Sequence, residues 1–140
     1  MPISAQKMKS ICANICEIDP KFEVVISSNP LCTIGRSPSK GSNYQSLVSA
    51  VVSQQLSGKA ASTIHGRLQE LVGGEITPQK IALQSVENLR AVGLSGAKTR
   101  TILGLTDSVI SGLPIEELHN FEDAEILRLL TEIWGIGEWT

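Results

Sequence analysis

The sequence has no excess of positive charge, no CxxC pair, no internal repeat and no long apolar run, and each absence removes a class of function. Twelve Lys and Arg against 14 Asp and Glu leave a net charge of −2, so bulk electrostatics do not announce a nucleic-acid partner. Any grip on a phosphate backbone must come from local donors. Cys12, Cys16 and Cys32 form an odd set without metal-ligand spacing and read as core thiols of a reducing compartment. No stretch approaches the roughly 18 apolar residues of a membrane span, and polar residues interrupt "MPISAQKMKSIC" where a signal peptide needs an unbroken apolar run. The expectation is a monomer without membrane association, cytoplasmic in a bacterium and nuclear in a eukaryote.

What is present is a helical pattern. From Asn43 onward, Tyr44, Leu47, Val48, Val51 and Val52 make one apolar stripe at helical spacing. Ala60, Ile64, Leu68, Leu71 and Val72 make a second, which Gly73 is placed to end. Thr77-Pro78 reads as an N-cap and first-turn pair. "SVENLRAVG" gives a short helix from Ser85 to Gly93, and Ser95 can cap a longer one carrying Ile102, Leu105, Val109 and Ile110. A last stripe sets Ile126, Leu129, Leu130 and Ile133 on one face. The fold class expected is all-α, a multi-helix core from residue 43 to 140. Residues 1–42 read as an annex and connecting loop. Within the annex, "KFEVVISS" is rich in β-branched residues, but with no second strand to pair with it reads as a buried helix or an extended segment. "TIGRSPSKGSN" reads as the connecting loop.

The chain finishes on "EIWGIGEWT". A helix, a turn with glycines at 135 and 137 and the start of a second helix is the layout of a helix-hairpin-helix element. Gly135 and Gly137 can take backbone angles closed to other residues, and without Cβ they let an anion come close. Amides at the start of the second helix then face outward, where a phosphate can accept them. Such a grip needs no lysine and suits an acidic chain.

Three blocks, "SLVSAVVSQQLSGKAASTIHGRL", "LRAVGLSGAKTRTILGLTDSV" and "LLTEIWGIGEWT", resemble in order and spacing the DNA glycosylases of the helix-hairpin-helix (HhH-GPD) superfamily, and most the 3-methyladenine DNA glycosylase II branch. The resemblance implies a base-excision repair enzyme that hydrolyses the N-glycosidic bond of alkylated bases in double-stranded DNA. In lyase-competent members a Lys stands two residues after the second hairpin glycine. Trp139 stands there in this chain, and an indole cannot form the Schiff base, which implies a monofunctional enzyme that uses water. Trp139, Gln54 and Tyr44 would line the substrate pocket, Tyr44 being first a core residue. One of Gln55, Leu56 and Ser57 would be the wedge that enters the base stack. Lys98 would lie near the DNA backbone with the hairpin glycines, and the carbonyls of Thr131, Ile133 and Ile136 would hold K⁺ or Na⁺. His65 and His119 have no partner arrangement that suggests catalysis.

The family's catalytic Asp follows the second hairpin helix. Asp19, Asp107 and Asp123 all precede the hairpin and match nothing in it. The expectation is therefore a chain truncated within the second hairpin helix and inactive by itself. The alternative is a non-enzymatic DNA-binding remnant of such a glycosylase.

Overall fold

The computed structural model describes residues 3–34 and 41–140, which divide into two units at Lys40–Gly41. Residues Gly35–Lys40, most of the expected connecting loop, lie outside the described residues. The first unit is a pair of helices. Ser4 starts α1 (Ala5–Ile18) by accepting the Lys7 amide on its side chain at 3.1 Å, and the Asp19 carboxylate takes the Lys21 amide at 3.0 Å in the turn to α2 (Phe22–Ser28). "KFEVVISS" is thus helical, but it is not buried: Val24 is 71% exposed, and α2 has no buried residue. The thiols are not core residues either. Two helices have too little apolar surface between them to enclose more than Met8, so Cys12 and Cys16 are half-buried and Cys32 is exposed.

The second unit is built around α7 (Gly96–Ile110), which packs against α3 (Asn43–Ser53), α5 (Pro78–Ala82) and α6 (Val86–Ala91), while α4 (Gly58–Leu71) lies against α3. The apolar stripes meet in one core. Val48, Val51 and Val52 of α3, Leu68 of α4, Ile81 of α5, Leu89 of α6 and Ile102 and Leu105 of α7 are almost wholly removed from water. Each large side chain so buried contributes roughly 1.5–3 kcal/mol. Local chemistry sets the helix starts. The side-chain oxygens of Ser42, Ser57, Thr77, Ser85 and Ser95 each accept the amide three residues on, and Gly73 and Gly93 end helices at positive φ.

Two features lie outside the stripe pattern. Residues Ile115–Asn120 form a 3-10 turn whose Glu116 carboxylate accepts the amides of Asn43 at 2.8 Å and Tyr44 at 3.0 Å, satisfying the start of α3 from a distance. The last helix, α8 (Asp123–Thr131), has no fully buried residue; Ile126, Leu129 and Leu130 are only part-covered, whereas Ile133 beyond its end is buried. No helix among the described residues is long and apolar enough to cross a membrane.

Candidate nucleic-acid interface

Three segments of the second unit converge on one cleft of about 210 Å³: the loop after α3, the first turns of α7 and the turn after α8. Gln54, Gln55, Ser95, Ala97, Lys98, Thr101, Trp134 and Gly135 line it. Helix α3 stops at Gln54 because the backbone leaves the helical region there, and Gln55 then takes a φ of 56°, the left-handed conformation that a side chain other than Gly or Asn adopts at some cost. The loop so turned leaves Gln55 and Leu56 exposed. Ser57 is different, since its hydroxyl accepts the Ala60 amide at 3.3 Å and so begins α4. Of the three wedge candidates, Gln55 and Leu56 are the pair with side chains uncommitted.

Lys98 does not face outward. Its ammonium donates to the Val52 carbonyl at 2.6 Å and the Gln54 carbonyl at 2.8 Å, two of the orphan acceptors at the end of α3. Partial burial of this cation lowers its pKa from the usual lysine value. These two bonds tie α7 to the loop. Gln54 carries the tie on: its side-chain amide donates to the Gly135 carbonyl at 3.4 Å and the Thr140 hydroxyl at 3.1 Å, so it braces the hairpin from the wall of the cleft.

The two hairpin glycines differ. Gly135 has a φ of 87°, and a Cβ on it would overlap Thr101 Oγ1 and stand 3.1 Å from Thr101 Cβ and Cγ2. Internal packing therefore requires glycine. Gly137 is not at positive φ, contrary to expectation, and a Cβ there would meet nothing within 4 Å. Its amide donates to Thr140 Oγ1 at 3.0 Å, while the Thr140 amide returns a bond to the Gly137 carbonyl at 3.0 Å. The open amides of this first turn are those of Glu138 and Trp139, which have no acceptor among the described residues. The carbonyls of Thr131 and Ile136 likewise have no donor among them, and the Ile133 carbonyl accepts the Ile136 amide at 3.0 Å. Carbonyl oxygens are hard donors and fit K⁺ or Na⁺.

The three residues expected to share a pocket do not meet. Tyr44 is 1% exposed, and its hydroxyl is bonded to Thr106 Oγ1 at 2.7 Å; burial pushes its pKa up to about 12 despite the opposing effect of that bond. An aromatic one residue into an amphipathic helix lies on the inner stripe, so Tyr44 is core. Trp139 is 100% exposed among the described residues. A second recess of about 220 Å³ lies between α8 and the hairpin, lined by Leu47, Ile126, Leu130 and Ile136 with Asp123 and Glu138 among its polar groups. Trp134 was not anticipated in any role. It lines the cleft, is half exposed, and carries the Arg100 guanidinium 4.1 Å from its ring centroid. Its position beside Gly135 was the signal available in the sequence.

A family model described as "HhH-GPD superfamily base excision DNA repair protein" matches residues 48–140, which takes in the loop, α7 and the hairpin. The chain belongs to the HhH-GPD superfamily. Among HhH-GPD relatives, DNA-3-methyladenine glycosylase 1 of Schizosaccharomyces pombe is 38% identical over 109 residues, covering 75% of this chain and 48% of that protein. DNA-3-methyladenine glycosylase of Saccharomyces cerevisiae is 25% identical over 149 residues, covering 96% and 50%. The crystal structure of a Bacillus halodurans DNA-3-methyladenine glycosidase superposes with a TM-score of 0.74 at 38% identity, covering 89% of this chain and 57% of that one. The S. pombe 3-methyladenine DNA glycosylase in complex with abasic DNA gives 0.65 at 35% identity, covering 74% and 54%. The chain thus spans about half the length of these relatives. The all-α class is the one expected from the helical pattern, and the HhH-GPD fold the one the three blocks resemble.

Proposed function

We propose that this HhH-GPD chain is the DNA-gripping part of a monofunctional glycosylase that removes alkylated purines such as 3-methyladenine from double-stranded DNA. The observation that carries the reading is the pair of open amides, Glu138 and Trp139, in the turn that follows Gly135. A phosphate can accept both, and Gly137 beside them puts no Cβ in its way. The relatives named as 3-methyladenine glycosylases supply the substrate class.

In this reading the hairpin holds one phosphate, K⁺ or Na⁺ on the carbonyls of Thr131, Ile133 and Ile136 offsets its charge, and Gln55 or Leu56 fills the space left by the extruded base. Extrusion costs a few kcal/mol and least at damaged pairs. Trp139 presents an open π-face to the electron-poor alkylated ring, a contact worth about 1–3 kcal/mol. Water then replaces the purine at the sugar carbon, with no amine in the Schiff-base position. No described residue is assigned as the catalytic carboxylate.

The test is to incubate the protein with methylated duplex DNA and measure both affinity and free 3-methyladenine. Gly137→Val should leave stability unchanged and weaken binding to all sequences alike, since phosphate contacts carry no sequence information. Equal affinity of Gly137→Val and wild type across several salt concentrations refutes the grip. Release is read in a version extended to carry the family's Asp, and binding without release by that version refutes the glycosylase reading.

A further inference from the structure

The cleft separates the two places where, in the proposed function, the protein holds DNA: the Gln55–Leu56 loop on one side and the hairpin on the other. A strand pried open at the loop and gripped at the hairpin runs across the ground between them. That ground needs a cation, because Glu132 and Glu138 flank the hairpin in a chain of net charge −2. Arg128 neutralises Glu132 in an ion pair at 2.7 Å, and Glu138 has no such partner among the described residues. Lys98, the obvious candidate in the sequence, is turned inward onto two carbonyls.

Arg100 does not line the cleft itself, but it is the cation stacked on one of the residues that do, Trp134. It is exposed, it makes no ion pair or side-chain hydrogen bond among the described residues, and its guanidinium lies 4.1 Å from the centroid of Trp134, the residue beside Gly135. Stacking uses the face of a guanidinium and leaves its in-plane N–H groups at the edge, the geometry that takes phosphate oxygens two at a time. The stack also removes rotamer freedom before DNA arrives, which lowers the entropy lost on binding. Exposed arginines are commonly solvated. A braced and unpaired one, on an indole at the wall of the cleft, is a binding arrangement.

We propose that Arg100, held on Trp134, binds a DNA phosphodiester beside the hairpin. This rests on the proposed function and adds to it a side-chain contact outside the hairpin amides. The test is the salt dependence of binding to a short duplex carrying an abasic-site analogue. Each phosphate neutralised on B-DNA contributes about 0.9 to the slope of log K against log salt. Arg100→Gln should lower the slope by about that amount. Trp134→Leu keeps the charge and loses the brace, so it should keep the slope and weaken binding by about two- to fivefold. Arg67→Gln, the same charge removal on exposed α4, should leave the slope as in wild type. An unchanged slope in Arg100→Gln, or an equal fall in Arg67→Gln, overturns the contact while the proposed function stands. If the wild-type protein shows no salt-dependent affinity for the duplex, the proposed function fails and this contact fails with it.

Discussion

Replacing Gly135 with alanine should cost about 3 kcal/mol of stability, and the origin of that loss can be apportioned. At φ 87° an L-residue is strained by about 1–2 kcal/mol. The new methyl would also overlap Thr101 Oγ1, a hydroxyl 3% exposed on a side chain that donates to the Ala97 carbonyl at 3.0 Å. Turning Thr101 away breaks that bond at a cost of about 1 kcal/mol and pushes its methyl into packed surroundings. Removing the obstacle should therefore recover part of the loss. In a Thr101→Ala background, where the overlapping oxygen and Cγ2 are gone, the same Gly135→Ala change should cost only the strain of about 1–2 kcal/mol. Equilibrium urea unfolding of the four proteins measures the coupling, expected near 1 kcal/mol or above. Additivity within about 0.3 kcal/mol would show that Thr101 does not hold Gly135 as described. Gly137→Ala serves as the contrast, and its unfolding midpoint should stay within about 0.5 kcal/mol of wild type.

Tyr44 makes stability depend on alkaline pH. Its folded pKa of about 12 lies above the ordinary tyrosine value of 10.0, so the stabilisation is fully present below pH 10 and is lost as pH rises through 12, by an amount on the order of 2–3 kcal/mol. Tyr44→Phe should flatten the stability profile between pH 10 and 12; an unchanged profile would refute the assignment. Lys98→Met leaves the Val52 and Gln54 carbonyls without their charged donor and should cost about 2–4 kcal/mol, read by thermal unfolding. In a version extended to carry the family's Asp, borohydride added during reaction on alkylated DNA should trap no protein–DNA adduct, because Trp139 stands where the lyase amine would; a trapped adduct would overturn the monofunctional reading.

The parts of the fold legible in the sequence are those written in local chemistry. Thr77 and Ser95 start helices because a hydroxyl reaches an amide three residues away, and Gly73 and Gly93 end them because the left-handed turn excludes a Cβ. At the hairpin the positive φ of Gly135 was legible, whereas Gly137 takes an ordinary φ and no second helix forms among the described residues. The direction in which Lys98 points was not legible, because its acceptors lie 44 and 46 residues away and a lysine on a helix reads as solvated. Tyr44 belonged to a stripe that fits either core or pocket rim, and only its bond to Thr106, 62 residues distant, decides between them. The Arg100–Trp134 stack joins two helices' ends and leaves no periodic trace.

The Glu116 carboxylate that receives the Asn43 and Tyr44 amides has a consequence for the order in which the protein is made. Asn43 and Glu116 are 73 residues apart in the chain. At ribosomal rates of about 5–20 residues per second, α3 waits roughly 4–15 seconds after its own synthesis before Glu116 has been added. Until then Ser42 alone holds its first turn. Hydrogen exchange on nascent or shortened chains should find the amides of Asn43 and Tyr44 open and the Gln45 amide already protected. The helix that leads into the Gln55–Leu56 loop is thus completed from the far side of the domain, seconds after it emerges.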